Sequence, residues 1–298
     1  MSLRHSLNRI LLLAGLMLCG IVLWQVERED MGVLRSVQIP WMAISLGIVA
    51  VLCCAVAAWR QFVQAVCGYR PGWTDALRQT GMVLSGKYIP GGVFGFLMRF
   101  SDDTRGSKEG LIAAGLIEQL VSFGMAVCVG ALLYGTASLH FSAVLVLLAV
   151  LPLLAAATVA ALVRLIGVSR FLRVRLPATT VTRTGPLIVG GYLQLCLQLT
   201  WAAVVFVLVR AMFDLQPKDA IAIAGAFGLS VGAGIAVFIA PGGIGVREAA
   251  MIALSSIWLE TNEAVMLAAA LRAISVALDA VAGLAAMMVR PKQEGETT

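Results

Sequence analysis

Charged residues are scarce in this chain. Its 298 residues include 22 Lys and Arg and 16 Asp and Glu, so 13% are charged and 60% are hydrophobic. The mean hydropathy is +0.94. Soluble domains carry about 25% charged residues, so this composition excludes a soluble protein and predicts a polytopic helical membrane protein. The basic residues are scattered between apolar stretches, which argues against nucleic acid as a partner.

Histidine is nearly absent, and the cysteines follow no functional spacing. The chain has only His5 and His140, and none of its six cysteines forms a C-x-x-C pair. A disulfide framework, a metal site and a histidine-based triad are therefore not expected. Since no credible nucleophile stands out either, the sequence predicts no enzyme, no catalytic residue and no cofactor.

Long apolar runs are what the chain does have. The first of them, with Arg4 and Arg9 before it, is expected to be an uncleaved span rather than a signal peptide. One run of about 40 residues would extend about 60 Å as a helix, twice the thickness of a hydrocarbon core. The runs are roughly 10–26, 41–59, 81–98, 111–134, 141–163, 186–209, 219–258 and 264–289.

Two runs are broken by the same three residues. KYIPGGVFGF occupies residues 87–96 and FIAPGGIGVR occupies residues 238–247. Pro and Gly are the residues least suited to a helix interior, so we expect helical hairpins that break at Pro90 and Pro241 and leave on the side they entered. The alternative is an interfacial turn between two short helices.

The loop charges predict the orientation. With the N-terminus inside, 15 of the 22 basic residues lie in cytoplasmic segments and 4 in outer segments, as the positive-inside rule expects. Both termini would be cytoplasmic, in a bacterial inner membrane. Residues 10–134 and 141–289 each give the order span, span, broken hairpin, span. We therefore predict one all-α transmembrane domain, 1–298, with about six spanning helices and two re-entrant hairpins in two inverted-topology repeats, and a disordered tail at 290–298.

Seven ionisable residues stand within or beside these apolar segments, where charges are costly and mark functional sites. The cations are expected to bind an anionic ligand, and the acids to organise them or to carry protons. Purely structural ion pairs are the alternative for the acids. The pairings that the sequence suggests are Glu118 with Arg247 or Arg99, and Glu248 with Arg272. We also expect each of these two acids to lie within reach of an Arg from the opposite half. The cations are Lys87, Arg99, Arg247 and Arg272, and the acids are Glu118, Glu248 and Asp279.

The glycines of both breaks are the second part of the predicted site. A helix that starts after a break exposes unpaired N–H groups, and its dipole favours an anion. Glycine lets a phosphate approach the backbone closely. The predicted cradle contains Gly91, Gly92, Gly242 and Gly243.

The motifs GKYIPGGVFGFLMR and APGGIGVREAAMIAL resemble the lysylphosphatidylglycerol synthase transmembrane-region family, also called flippase-like integral membrane proteins. Glu118 and Arg272 fit charged positions that recur in that family. The first motif departs from the commoner Asn-x-x-Leu-Pro-Gly form. In the bifunctional members this region moves an aminoacylated phospholipid between leaflets, and the resemblance implies a similar role here without the synthase domain.

The sequence thus predicts a translocator of an anionic lipid, either a phospholipid or a polyprenyl-phosphate-linked lipid. Lipids with anionic head groups would be its partners. The alternative is a non-transporting accessory subunit, whose partner would be a membrane glycosyltransferase or a lipid-modifying enzyme. A translocator needs a cavity that reaches both hairpin tips, whereas an accessory subunit does not.

Overall fold

The computed structural model describes residues 40–88, 98–99, 107–135, 183–236, 243 and 245–289. These residues form seven helices and no strand: α1 (Trp41–Cys67), α2 (Trp73–Gly86), α3 (Lys108–Tyr134), α4 (Thr184–Met212), α5 (Pro217–Ala236), α6 (Val246–Ser255) and α7 (Thr261–Met288). Five of them, α1, α3, α4, α5 and α7, are long and apolar enough to cross a membrane. The fold is that of a helical, multi-pass membrane protein, in agreement with the composition.

Local signals set the helix ends. The hydroxyl of Ser107 accepts a hydrogen bond from the Gly110 N–H at the start of α3, at 3.1 Å, which is an ordinary N-cap. Helix α1 ends at Gly68, whose φ of 78° lies in the left-handed region that glycine adopts without strain. The expected spans at 10–26 and 141–163 and the tail at 290–298 lie outside the described residues.

The first broken segment begins earlier than its apolar run predicts. Helix α2 starts at Trp73 rather than near residue 81, because Pro71 and Gly72 end the preceding loop and Asp75 favours the first helical turn. Its 14 residues extend only about 21 Å, less than a hydrocarbon core of about 30 Å. The first break itself, at Pro90, Gly91 and Gly92, lies outside the described residues.

The second long run divides into two helices, α5 and α6, which pack against each other. Gly243 lies between them with a φ of +70°, and a Cβ on it would lie 2.9 Å from the Cα of Gly234. The chain therefore folds back after α5, as a hairpin requires. Helix α5, however, has 20 residues and is long enough to cross on its own, so the non-crossing hairpin stays a prediction. Pro241 and Gly242 lie outside the described residues.

Three helix pairs make the most extensive contacts: α1 with α4, α3 with α5, and α2 with α7. Small residues allow two of these pairs to approach at the backbone. A Cβ on Gly225 of α5 would lie 2.6 Å from the Gly130 carbonyl oxygen of α3, and one on Gly81 of α2 would lie 2.8 Å from the Cβ of Ala286 in α7. Close approach of this kind is typical of helix packing in membranes.

Candidate functional site

Helix α7 carries the central part of the site. Arg272, Ser275 and Asp279 are spaced three and four residues apart, so they lie on one face of the helix. All three are buried. Arg272 lies about 16 Å from the first residue of this 28-residue helix and Asp279 about 14 Å from its last residue. The charged face is therefore near the middle of an apolar helix that is long enough to cross a membrane.

Lys87 and Tyr88, just after α2, contact Asp279. The Lys87 Nζ lies 2.8 Å from Oδ2 of Asp279 and donates to Oδ1 at 3.0 Å. The Tyr88 hydroxyl donates to Oδ2 at 2.5 Å, and the Arg272 guanidinium lies 5.4 Å from the centre of the Tyr88 ring. Asp279 exposes 2% of its surface, whereas the Lys87 side chain exposes 32%. The end of α2 thus supplies a partly exposed cation to a buried carboxylate.

Glu248, in the first turn of α6, makes two different contacts. Its Oε2 accepts a hydrogen bond from the Gly245 N–H at 2.7 Å, which completes the capping arrangement of this helix. Its Oε1 lies 3.4 Å from Nε of Arg272. The sequence predicted that the start of α6 binds an anionic ligand. In the structure, the carboxylate of Glu248 already binds there.

Arg247 is held by neutral groups. One guanidinium nitrogen donates to the Ser275 hydroxyl at 3.2 Å, and the guanidinium lies 4.7 Å from the centre of the Phe227 ring of α5. Among the described ion pairs none includes Arg247. Within the described part of the chain, a ring face and a hydroxyl are therefore its direct contacts.

These residues form what we call the central charge cluster: Lys87, Arg247, Glu248, Arg272 and Asp279. It contains three cations and two carboxylates, a formal charge of +1. A partly open crevice of about 10 Å³, room for about one water molecule, borders it. It is lined by Phe227, Ser230, Arg247, Glu248, Met251, Ala268, Leu271 and Arg272. Within the described part of the chain no group of three His, Cys, Asp or Glu could hold a metal ion. The arrangement suits the recognition of an anion.

Arg99 and Glu118 form a separate buried pair. The Arg99 Nη1 donates to Oε2 of Glu118, its Nε donates to the Gln79 carbonyl oxygen at 3.2 Å, and its guanidinium lies 3.8 Å from the Trp59 ring centre. The Arg99 side chain exposes only 2% of its surface. This geometry favours a structural role for Arg99, and its predicted part in ligand binding stays untested.

Two of the expected ion pairs are present. Arg99 is the partner of Glu118, and Arg272 is the partner of Glu248. Each of these pairs lies within one half of the sequence, and an Arg of the opposite half within reach of either acid stays a prediction. Among the ion pairs of the described residues, Lys87 with Asp279 joins the halves. Sequence spacing alone gave no reason to match these two residues.

Sequence reasoning missed Tyr88, Ser275 and Phe227. Tyr88 directly follows Lys87, and Ser275 stands one turn after Arg272, so position relative to the charged residues was the available signal. Neutral polar and aromatic residues are common in apolar helices, which made that signal weak. No family model, no curated protein and no solved structure matches this chain.

Proposed function

We propose that this protein is a flippase-like membrane protein that binds the anionic head group of a lipid at the central charge cluster and moves it between leaflets. The observation that carries the proposal is the convergence of Lys87 and Arg247, from the two broken segments, on one face of α7. A head group that crosses an apolar core needs donors to replace its hydration. The cluster offers such donors at about the middle of a membrane-length helix.

The electrostatics suit a phosphate-bearing group. The cluster retains a formal charge of +1 after its two ion pairs are counted. The Arg247 guanidinium, which enters no ion pair among the described residues, lines the crevice. Arg presents a planar fork that grips two phosphate oxygens. Arg272 lines the same crevice and would reach the phosphate from α7. Lys87, which is a third exposed, would complete the site from α2.

The three most extensive helix contacts support two inverted repeats. If two repeats are related by a two-fold axis, a helix can contact its own counterpart in the other repeat. Any other contact between the repeats should occur twice, once in each direction. In the predicted repeats α1 corresponds to α4, α2 to α5, and α3 to α7. The pair α1 with α4 is then self-equivalent, and the pairs α3 with α5 and α7 with α2 exchange with each other. An inner-membrane protein with both termini cytoplasmic is the orientation that the loop charges favour.

A second function, that of an accessory subunit of a membrane glycosyltransferase or lipid-modifying enzyme, is favoured by a different observation. Lys87 with Asp279 and Arg272 with Glu248 already satisfy each other. The first of these pairs would also hold the two halves together. In that case the protein would bind its partner and would not move lipid.

Anion recognition is tested by isothermal titration of the detergent-solubilised protein with dodecyl phosphate, and separately with inorganic phosphate. We expect dodecyl phosphate to bind the parent more tightly, because its chain also contacts apolar surface. The double variant Arg247→Gln/Arg272→Gln should lose this binding. Arg210→Gln, at an exposed arginine of α4, is the matched control and should bind as the parent does.

Two outcomes would count against the proposal. Equal affinity for inorganic phosphate and dodecyl phosphate would make the ligand a free anion rather than a lipid. Parental affinity in the double variant would remove the central charge cluster as the binding site.

A further inference from the structure

Glu248 differs from the other carboxylate of the central charge cluster in how firmly it is held. Asp279 exposes 2% of its side chain and has both an ammonium and a hydroxyl within 3.0 Å. Glu248 exposes 25% of its side chain, and its Oε1 lies 3.4 Å from the Arg272 Nε. Charge-assisted hydrogen bonds normally measure about 2.7–2.9 Å. The Glu248–Arg272 contact is therefore long and open to the crevice.

The two oxygens of Glu248 take up the donors that an incoming anion would use. One accepts the N–H of Gly245 at the start of α6, and the other faces the guanidinium of Arg272. A helix start and a guanidinium are two standard donors to phosphate. This carboxylate thus stands where the head group would bind.

We propose that Glu248 is a specificity-determining residue, an internal counter-ion that a head group must displace from Arg272. This inference rests on the proposed function. Displacement leaves the cap of α6 in place, because Oε2 can keep its bond to the Gly245 N–H while the other oxygen moves toward solvent. Glu248 then competes with the ligand for Arg272. A ligand with enough negative charge displaces it, and a ligand with less negative charge does not bind.

The chain offers a matched pair of variants. Glu248→Gln removes the charge and keeps an amide oxygen for the cap, since Gln serves at this position of a capping box. Glu263 occupies the same position at the start of α7, where its carboxylate accepts the Glu260 N–H at 2.9 Å, and no described ion pair includes it. Glu263→Gln therefore reproduces the loss of a capping charge without touching the cluster.

The test is titration of dodecyl phosphate into the parent, Glu248→Gln and Glu263→Gln proteins in dodecyl maltoside. We expect Glu248→Gln to bind about tenfold more tightly than the parent, since a charge-assisted contact no longer competes. Glu263→Gln should bind as the parent does. Glu248→Asp is a second variant, which keeps the charge at the helix start but shortens its reach to Arg272. It should also bind more tightly.

The outcomes separate this inference from the function on which it rests. Parental or weaker binding in both Glu248→Gln and Glu248→Asp, with clear binding by the parent, overturns the role of Glu248 and leaves the anion site standing. Equal tightening in Glu263→Gln also overturns it, because the effect would then be one of overall charge. If neither the parent nor the Glu248 variants bind dodecyl phosphate, the anion site itself fails.

Discussion

The ammonium nitrogen of Lys87 lies 2.8 Å from Oδ2 of Asp279, although the two residues stand 192 positions apart in the chain. This contact joins the end of α2 to the central part of α7. The partners differ in burial, because Asp279 is almost fully enclosed and Lys87 is a third exposed. Removing one partner should therefore not be equivalent to removing the other.

Lys87→Met should destabilise the protein more than Asp279→Asn. Loss of Lys87 leaves a buried carboxylate without its cation, at a cost of about 3 kcal/mol. Loss of Asp279 leaves an ammonium that water can reach, at a cost of about 1 kcal/mol. Thermal unfolding in detergent measures both, and the double variant should recover most of the loss. Equal effects of the two single variants would contradict this description of the pair.

Glu118→Gln should lower stability without affecting anion binding. The change leaves the buried Arg99 guanidinium without its carboxylate, which costs about 3–5 kcal/mol. Fluorescence-detected unfolding suits this test, because the Arg99 guanidinium lies against the Trp59 ring. Glu109→Gln, at an exposed acid of the same helix, is the control. Indistinguishable melting curves for the two variants would show that the pair is not structural.

Arg272→Lys should weaken dodecyl phosphate binding roughly tenfold, although the formal charge is unchanged. Arg272 is buried and uses a planar guanidinium, whereas an ammonium offers no fork for two phosphate oxygens. Calorimetric titration measures the affinity, with Arg210→Lys as the control for an exposed arginine. An affinity equal to that of the parent would mean that only the charge matters at this position.

Gly225→Ala should destabilise the contact between α3 and α5. A Cβ at this position would collide with the backbone N of Tyr134 and would lie 2.6 Å from the Gly130 carbonyl oxygen, so one helix has to move. Gly124→Ala is the control, because a Cβ there meets nothing within 4 Å and alanine favours a helix by about 1 kcal/mol. The unfolding temperature should fall in the first variant and hold or rise in the second. The same change of unfolding temperature in both variants would contradict the close approach of α3 and α5.

Hydrophobicity alone located most of the described helices. The apolar runs at 41–59, 111–134, 186–209 and 264–289 correspond to α1, α3, α4 and α7. Their ends were harder to predict, because backbone hydrogen bonding continues into polar residues. Helix α1 continues past Trp59 through Arg60 and Gln61 to Cys67, and Gln61 is itself buried. An apolar run therefore marks the hydrophobic part of a helix rather than its ends.

The charged residues of the site could be selected from sequence, but their pairing could not. Ionisable residues in apolar segments pointed to Lys87, Arg247, Arg272 and Asp279, and the structure brings these together. Helical spacing places Arg272 and Asp279 on one face, yet it does not say which distant segment covers that face. Tyr88 was missed because a tyrosine in an apolar stretch is unremarkable until its hydroxyl is seen on Asp279.

The measurement that tests the central claim most directly is lipid movement in proteoliposomes. The protein is reconstituted with a fluorescent phosphate-bearing lipid, and a membrane-impermeant quencher reports the fraction of that lipid in the outer leaflet over time. Protein-free liposomes give the background rate, and Arg210→Gln gives the rate with an intact central charge cluster.

We expect the parent and Arg210→Gln to move the lipid well above background, and Arg247→Gln/Arg272→Gln to fall to background while melting as a folded protein. Movement at the parental rate by the double variant would contradict the central charge cluster as the transport site. No movement by the parent itself would contradict transport and favour the accessory subunit.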